Sequence, residues 1–167
     1  MSFFYLFFTK EEIIYKFIIV LLFPIMGRIL ALDYGRKRTG VAVTDPLQMI
    51  ANGLTTVPTF ELEHFLLEYT GKEVVERIVI GMPKQLNNQL SENARYVTQF
   101  MKRLEKILPN IPVTMVDERF TSVLAHQTML DGGLKKQARK NKALVDEISA
   151  TIILQSFLES RSILNLK

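Results

Sequence analysis

Acidic residues stand at three places in this chain where they could share one site. Asp33 follows the aliphatic run 29–32, the pair Asp117 and Glu118 follows the run 112–116, and Asp146 opens the last apolar helix pattern. Carboxylate oxygens from separate elements are the ligands that Mg²⁺ and Mn²⁺ prefer, and a pair of such ions activates water and holds a phosphodiester. The pattern therefore predicts metal-dependent hydrolysis of a phosphodiester without a catalytic histidine.

Each acid also has a purely structural interpretation. Asp33 could bond the backbone of an Asp-x-Gly turn, and Asp146 could simply favour the positive end of a helix dipole. Asp146, however, lies on one helical stripe with Ala150, Ile153 and Phe157, so we expect it to face inward. Neighbouring strand residues point to opposite faces, so we expect only one of Asp117 and Glu118 to reach a metal.

The composition limits the other chemistries. The 167 residues include no cysteine and two histidines, which excludes disulfides and thiolate metal sites. With 48% hydrophobic residues the chain suits a single domain, which we place at residues 26–161 with a short tail at 162–167. The net charge of +4 is a modest indication of an anionic partner.

Residues 1–25 form a doubtful apolar leader. Charged residues interrupt it, it has no clean signal-peptide pattern, and its longest uncharged run is too short to span a bilayer. We expect Met26 to be the true start and the leader to result from a mistaken one. A membrane anchor and a genuine extra helix are the alternatives.

Cations follow the acids along the sequence. Three stand at positions 36–38, shortly after Asp33, and one follows Glu118. The segment Lys135–Lys142, here called the basic loop, holds five cations in eight residues. Such side chains could hold phosphates of a nucleic acid, although a solvated loop would look the same. The candidates are Arg36, Lys37, Arg38, Arg119, Lys135, Lys136, Arg139 and Lys140.

The hydrophobic periodicity predicts three strands, a helix, a strand, a helix, a strand, a helix, the basic loop and a last helix. Residues 49–57 are expected to form the third strand, 60–69 the first helix and 143–161 the last. The last helix is apolar on nearly every side, so we expect it to pack deep against the sheet. This order is that of an α/β, ribonuclease H-like fold. Its mixed five-stranded sheet should have three antiparallel strands, then parallel ones, flanked by helices.

Several motifs together resemble the YqgF/RuvX family of Holliday junction resolvases, also described as pre-16S rRNA nucleases. The motifs are Leu32–Gly35, Arg38–Val43, Ile80–Pro83, Val116–Ser122 and Val145–Ala150. The resemblance covers residue 26 to about 161 and implies that Asp33, Glu118 and Asp146 are the catalytic acids. It also implies a cytoplasmic enzyme that matures ribosomal RNA.

The substrate stays open between pre-rRNA and branched DNA. An actin-like ATPase is a third possibility, because Asp-x-Gly in a hairpin can also bind phosphate. Such enzymes, however, bind the nucleotide between two domains, and we expect a single domain here. A non-catalytic nucleic-acid-binding module is a fourth, although all three acids are present. No stable membrane association is expected, and the sequence does not indicate an oligomeric state.

Overall fold

The computed structural model of the chain describes residues 27–82, 92–117, 121–133 and 140–165. Several predicted features therefore lie outside the described residues. These are the apolar leader, Glu118, Arg119, Lys135, Lys136 and Arg139.

A five-stranded mixed sheet forms the centre of the domain. Its strands are β1 (Arg28–Tyr34), β2 (Arg38–Thr44), β3 (Ala51–Pro58), β4 (Val75–Met82) and β5 (Val113–Asp117), in the spatial order β3-β2-β1-β4-β5. The first three strands pair antiparallel, whereas β4 pairs parallel with both β1 and β5. The predicted sheet is confirmed, including the change from antiparallel to parallel pairing.

The central strand β1 is buried on both faces, as its unbroken aliphatic run indicates. Ile29 and Ala31 contribute to a core on one face of the sheet, and Leu30 and Leu32 contribute to a core on the other. All four side chains are fully buried. Alternation along β1 thus assigns each odd-numbered position to one face and each even-numbered position to the other.

Helices cover both faces of the sheet. They are α1 (Leu62–Lys72), α2 (Glu92–Ile107), α3 (Thr121–Asp131) and α4 (Lys142–Asn165), and the 3₁₀ turn Thr59–Glu61 precedes α1. Helix α2 carries an apolar stripe of Ala94, Val97, Phe100 and Leu104, which is buried against the even-numbered face of β1.

The prediction that the last helix, α4, packs deep against the sheet is confirmed. Only one stripe of this helix, which includes Ala150, Ile153 and Leu154, packs into the core on the odd-numbered face. Gln155 and Glu159 point to solvent. The sheet offers the helix a single surface, so one stripe is buried and the apolar residues elsewhere on the helix are only partly covered.

The third strand begins two residues later than predicted because Asp45 closes a loop in front of it. Its carboxylate accepts hydrogen bonds from the backbone N–H groups of Leu47, Met49 and Ile50 at 2.7–3.0 Å. Gln48 has a φ of +56° inside this loop. Burial opposes ionisation of Asp45, but the N–H groups of Ile50, Met49 and Leu47 outweigh it and lower the pKa of Asp45 below its usual value.

The remaining boundaries shift slightly. Helix α1 begins at Leu62 instead of residue 60, because the chain first makes the 3₁₀ turn. Helix α3 ends at Asp131, and Gly133 lies just beyond its last turn at a φ of +68°. No helix in the described part of the chain is long and apolar enough to cross a bilayer.

Candidate active site

Asp33 lies near the carboxyl end of β1 on the face that α4 covers. The fully buried residues Ile29 and Ala31 belong to the core on that face, and Asp33 continues the same alternation. Its own side chain is half-buried. The direct partner of Asp33 on the neighbouring strand is Gly40 of β2.

Gly40 allows the first turns of α4 to lie directly on the sheet. A Cβ atom at this position would collide with the backbone carbonyl of Asp146, so only glycine fits beneath the helix. A second glycine, Gly53 of β3, leaves room for the side chain of Glu147, which a Cβ atom at position 53 would meet. The hydroxyl of Thr56 donates to the carbonyl oxygen of Ala143 at 2.8 Å and adds a further contact between β3 and the helix.

These contacts bring Asp146 to the strand pair that carries Asp33. The backbone of Asp146 rests on Gly40, and Gly40 is the partner of Asp33 in the sheet. Two carboxylates from the first strand and the last helix therefore lie at the same end of the sheet. Carboxyl ends of strands are where open α/β sheets collect their functional groups.

Arg38 pairs with Asp146. Its Nε donates to Oδ2 of the carboxylate at 2.9 Å, and the two side chains are 39% and 25% exposed. This ion pair fixes the orientation of Asp146 and leaves the other guanidinium donors for a second anion. Sequence reasoning placed Arg38 among the phosphate-binding cations and did not foresee its carboxylate partner.

The turn between β1 and β2, Gly35–Arg38, is here called the basic turn. The backbone N–H of Gly35 donates to the carbonyl oxygen of Arg38 at 3.1 Å. Thr59 holds the turn from the side, because its backbone N–H donates to the carbonyl oxygen of Lys37 at 3.1 Å and its hydroxyl to that of Gly35 at 2.6 Å. The backbone that carries the cations is therefore fixed.

An open cleft of about 580 Å³ lies between the basic turn and α4. Its lining consists of Gly35, Arg36, Lys37, Arg38 and Asp146. Three cations and one carboxylate line this cleft, so it suits an anion that also carries a divalent cation. A phosphate with a bound metal ion has this combination of charges.

The described residues supply some of the oxygen ligands that Mg²⁺ or Mn²⁺ would need. Asp33 and Asp146 supply carboxylate oxygens, which hard cations prefer, and the chain has no thiolates to favour a softer metal. Within residues 27–82, 92–117, 121–133 and 140–165, no group of three or more acids and histidines stands close enough to hold a metal by itself. Glu118, the third predicted ligand, lies outside those ranges, and of Asp117 only the backbone is described.

The other predicted site residues are distributed around the cleft. Arg36 and Lys37 are exposed at the basic turn, and Lys140 is exposed just before α4. The neighbour of Asp33, Tyr34, is a core residue that stacks on Phe100 with ring centroids 4.7 Å apart. The structure describes Lys140 alone among the four candidates of the basic loop.

Sequence reasoning missed three supporting residues. Gly40, Thr59 and Asn141 support the backbone around the site, and the side chain of Asn141 accepts a hydrogen bond from the backbone N–H of Ala143 at the start of α4. A glycine inside a strand is a known sign of close backbone approach, so Gly40 carried a signal. Thr59 and Asn141 resemble ordinary loop residues in the sequence.

Comparison with known proteins identifies the family. The family model described as "RuvX: Holliday junction resolvase" matches residues 27–160. The chain belongs to the RuvX family. It shares 71% identity over 136 residues with a protein of Phocaeicola vulgatus named "Putative pre-16S rRNA nuclease", covering 81% of this chain and 98% of the relative. A protein of Bacteroides thetaiotaomicron with the same name is 66% identical, with 81% and 99% covered.

RuvX membership agrees with the architecture. The structure of Thermus thermophilus RuvC in complex with a Holliday junction substrate superposes with a TM-score of 0.51 at 18% identity, covering 81% of this chain and 96% of RuvC. At this identity the likeness concerns the fold, and it confirms the predicted α/β class. The predicted RuvX resemblance is confirmed as well, and with it the assignment to a family of nucleases.

Proposed function

We propose that this RuvX protein is a metal-dependent nuclease that processes the 5′ end of pre-16S rRNA. The observation that carries the proposal is that the backbone of Asp146 rests on Gly40, the strand partner of Asp33, beside a basic turn with a fixed backbone. An acid pair next to three cations is suited to phosphodiester chemistry. The names of the relatives favour pre-rRNA as the substrate.

In this proposal the catalytic acids are Asp33, Glu118 and Asp146, with Asp117 as the alternative to Glu118. The resemblance of the motif Val116–Ser122 to the RuvX family favours Glu118. When bound, Mg²⁺ or Mn²⁺ would supply a hydroxide nucleophile and stabilise charge on the phosphate. The carboxylates would hold the metal.

The cations have a different role in the proposal. Arg36 and Lys37 are exposed at the mouth of the cleft and would hold phosphates of the substrate backbone. Arg38 is a positioning residue, because its ion pair keeps the Asp146 carboxylate at one orientation. Arg119 and the basic loop would extend the phosphate contacts.

The metal requirement is tested by chelation. Cleavage of a labelled pre-16S rRNA fragment should stop in EDTA and return when Mg²⁺ or Mn²⁺ is added in excess, because oxygen ligands alone favour these ions. Zn²⁺ at the same concentration serves as the comparison and should restore less activity. Undiminished cleavage in EDTA would contradict the metal-dependent mechanism.

Cleavage of four-way DNA junctions is the second candidate, because the matching family model carries the description of a Holliday junction resolvase. The two candidates are separated by presenting a linear RNA with a 5′ extension and a DNA junction to the same enzyme preparation. Faster turnover of the RNA supports the maturation role. Faster turnover of the junction would support junction resolution in place of the maturation role.

A further inference from the structure

Two exposed aromatic rings flank the basic turn. Among the exposed large hydrophobic side chains of the described ranges, Phe60 and Tyr96 are the aromatic ones, with exposures of 85% and 42%. The other tyrosines of these ranges, Tyr34 and Tyr69, pack into or against the core. Exposed aliphatic residues are common on protein surfaces, but two exposed rings beside three cations suggest a ligand.

Tyr96 is held next to Arg36. The guanidinium carbon of Arg36 lies 5.7 Å from the centroid of the Tyr96 ring, within the range of a cation–π contact. One turn earlier on α2, the side-chain amide of Asn93 donates to the backbone carbonyl of Tyr34 at 2.9 Å. This bond attaches the start of α2 to the end of β1, so Tyr96 has a defined position relative to the basic turn.

Phe60 lies next to Thr59, the residue that binds the backbone of the basic turn. Thr59 makes its hydrogen bonds to Gly35 and Lys37, and Phe60 is the next residue, in the 3₁₀ turn. The chain enters the core only at Leu62, whose side chain is fully buried. The backbone bonds of Thr59 therefore keep Phe60 near the basic turn while its ring stays in solvent.

The charge beside the rings identifies the class of ligand. Arg36 and Lys37 are exposed there, which favours an anionic partner over an apolar one. Rings combined with cations suit single-stranded nucleic acid, because every unpaired base offers a flat face for stacking while its phosphate meets a cation. A duplex hides its base faces in its own stack, so it could use the cations but not the rings.

We propose that Phe60, Tyr96, Arg36 and Lys37 form a single-strand subsite next to the catalytic cleft. Bases of a single-stranded segment stack on the two rings, and phosphates of the same segment contact the two cations. The inference rests on the proposed nuclease function and deepens it, because it names single-stranded nucleic acid as the part of the substrate that adjoins the cleavage point.

Tryptophan variants provide a direct test, since the chain contains no tryptophan of its own. Phe60→Trp and Tyr96→Trp each retain a ring and place a unique fluorophore in the subsite. Met49→Trp is the matched control, because Met49 is 74% exposed in the loop at the opposite end of β2. The probes are a single-stranded uridine oligomer and an RNA hairpin stem of equal charge, both in EDTA to prevent cleavage.

The single strand should quench the fluorescence of Phe60→Trp and Tyr96→Trp, because an indole stacked on a base loses emission, and it should leave Met49→Trp unchanged. The hairpin stem should quench none of the three. Absence of quenching at both ring positions overturns the subsite. Equal quenching by the stem also overturns it, as does equal quenching by an acidic polyglutamate peptide.

Alanine variants measure the contribution of each ring. Phe60→Ala and Tyr96→Ala should each weaken single-strand binding about 5- to 100-fold, the range expected for one base–aromatic stack, with the salt dependence unchanged. Tyr96→Phe keeps the ring and should bind within about twofold of the parent protein. Single-strand affinity of both alanine variants within about twofold of the parent would refute stacking.

The outcome is separable from that of the proposed function. Metal-dependent cleavage by the parent protein without quenching in the tryptophan variants rejects the subsite and leaves the nuclease assignment intact. Quenching without cleavage keeps the subsite and removes the nuclease assignment. The tryptophan variants still carry the test if an alanine variant fails to fold.

Discussion

The closest contact between the sheet and α4 leads to a sharp prediction for Gly40→Ala. The new methyl group would collide with the carbonyl group of Asp146 and lie 3.0 Å from the backbone nitrogen of Glu147. All of these atoms belong to the backbone, so no side-chain rotation can relieve the overlap. The helix would have to move away from β2 and carry Asp146 with it.

The expected size of the effect follows from overpacking. Forcing an extra methyl group into a packed core costs about 1–3 kcal/mol. At about 2–4 °C per kcal/mol for a domain of this size, the melting temperature should fall by about 2–12 °C. Cleavage should fall further, on the order of 100-fold, because a misplacement of about 1 Å in a catalytic group has that effect.

Gly71→Ala is the matched control. Gly71 lies in α1, and an added Cβ would meet nothing within 4 Å. Alanine is favoured over glycine in a helix by about 1 kcal/mol, so this variant should melt about 2–4 °C higher and cleave normally. Thermal melting and cleavage are measured on both variants in parallel. If Gly40→Ala melted and cleaved like the parent protein, α4 would not rest on β2 as described.

Three further predictions concern charges. Asp33→Asn should reduce cleavage at least about 100-fold, while the melting temperature stays the same or rises. The control Asp131→Asn, at an exposed acid on α3, should leave both cleavage and melting temperature unchanged. A folded, active Asp33→Asn protein would contradict the catalytic role. Asp45→Ala should cost about 0.5–1 kcal/mol at neutral pH, since solvent screens this loop. Because the pKa of Asp45 is lowered in the folded protein, its ionised carboxylate stabilises the fold above the ordinary value of 3.8, and this stabilisation is lost as the pH falls through the lowered pKa. The difference in melting temperature between the parent protein and Asp45→Ala should therefore vanish in melts at lower pH. A difference that stays constant with pH would be evidence against this role of Asp45. Replacing the four candidate cations of the basic loop with Gln should flatten the slope of log affinity against log salt by up to about 0.9 per duplex contact, or about 0.7 per single-strand contact. Turnover at saturating substrate should not change. An unchanged slope would mean that the loop is solvated and does not contact phosphates.

The sequence predicts those parts of the fold whose signals are local. The aliphatic run of β1 and the stripe of α2 identify their elements because burial follows a fixed period along a single segment. The inward position of Asp146 was deduced in the same way, from its stripe with Ala150, Ile153 and Phe157. That stripe packs toward the core on the α4 face as expected.

Features that depend on contacts between distant segments were not predictable. The Arg38–Asp146 pair joins residues 108 positions apart, and its formation depends on how α4 crosses β2. The loop at 45–50 was misassigned for a related reason. Met49 and Ile50 are apolar and resemble strand residues, but the carboxylate of Asp45 binds their backbone N–H groups and keeps them in the loop.

The distance along the chain between Asp33 and Asp146 has a consequence for synthesis of the protein. Asp33 is translated near the beginning of the domain and Asp146 near its end, so a nascent chain cannot bring the two acids to the same end of the sheet until the last helix has left the ribosome. A chain released early carries Asp33 and the cations but lacks Asp146 and its helix. If Asp33 and Asp146 act together as proposed, incomplete copies of the protein would leave the RNA around a translating ribosome uncut.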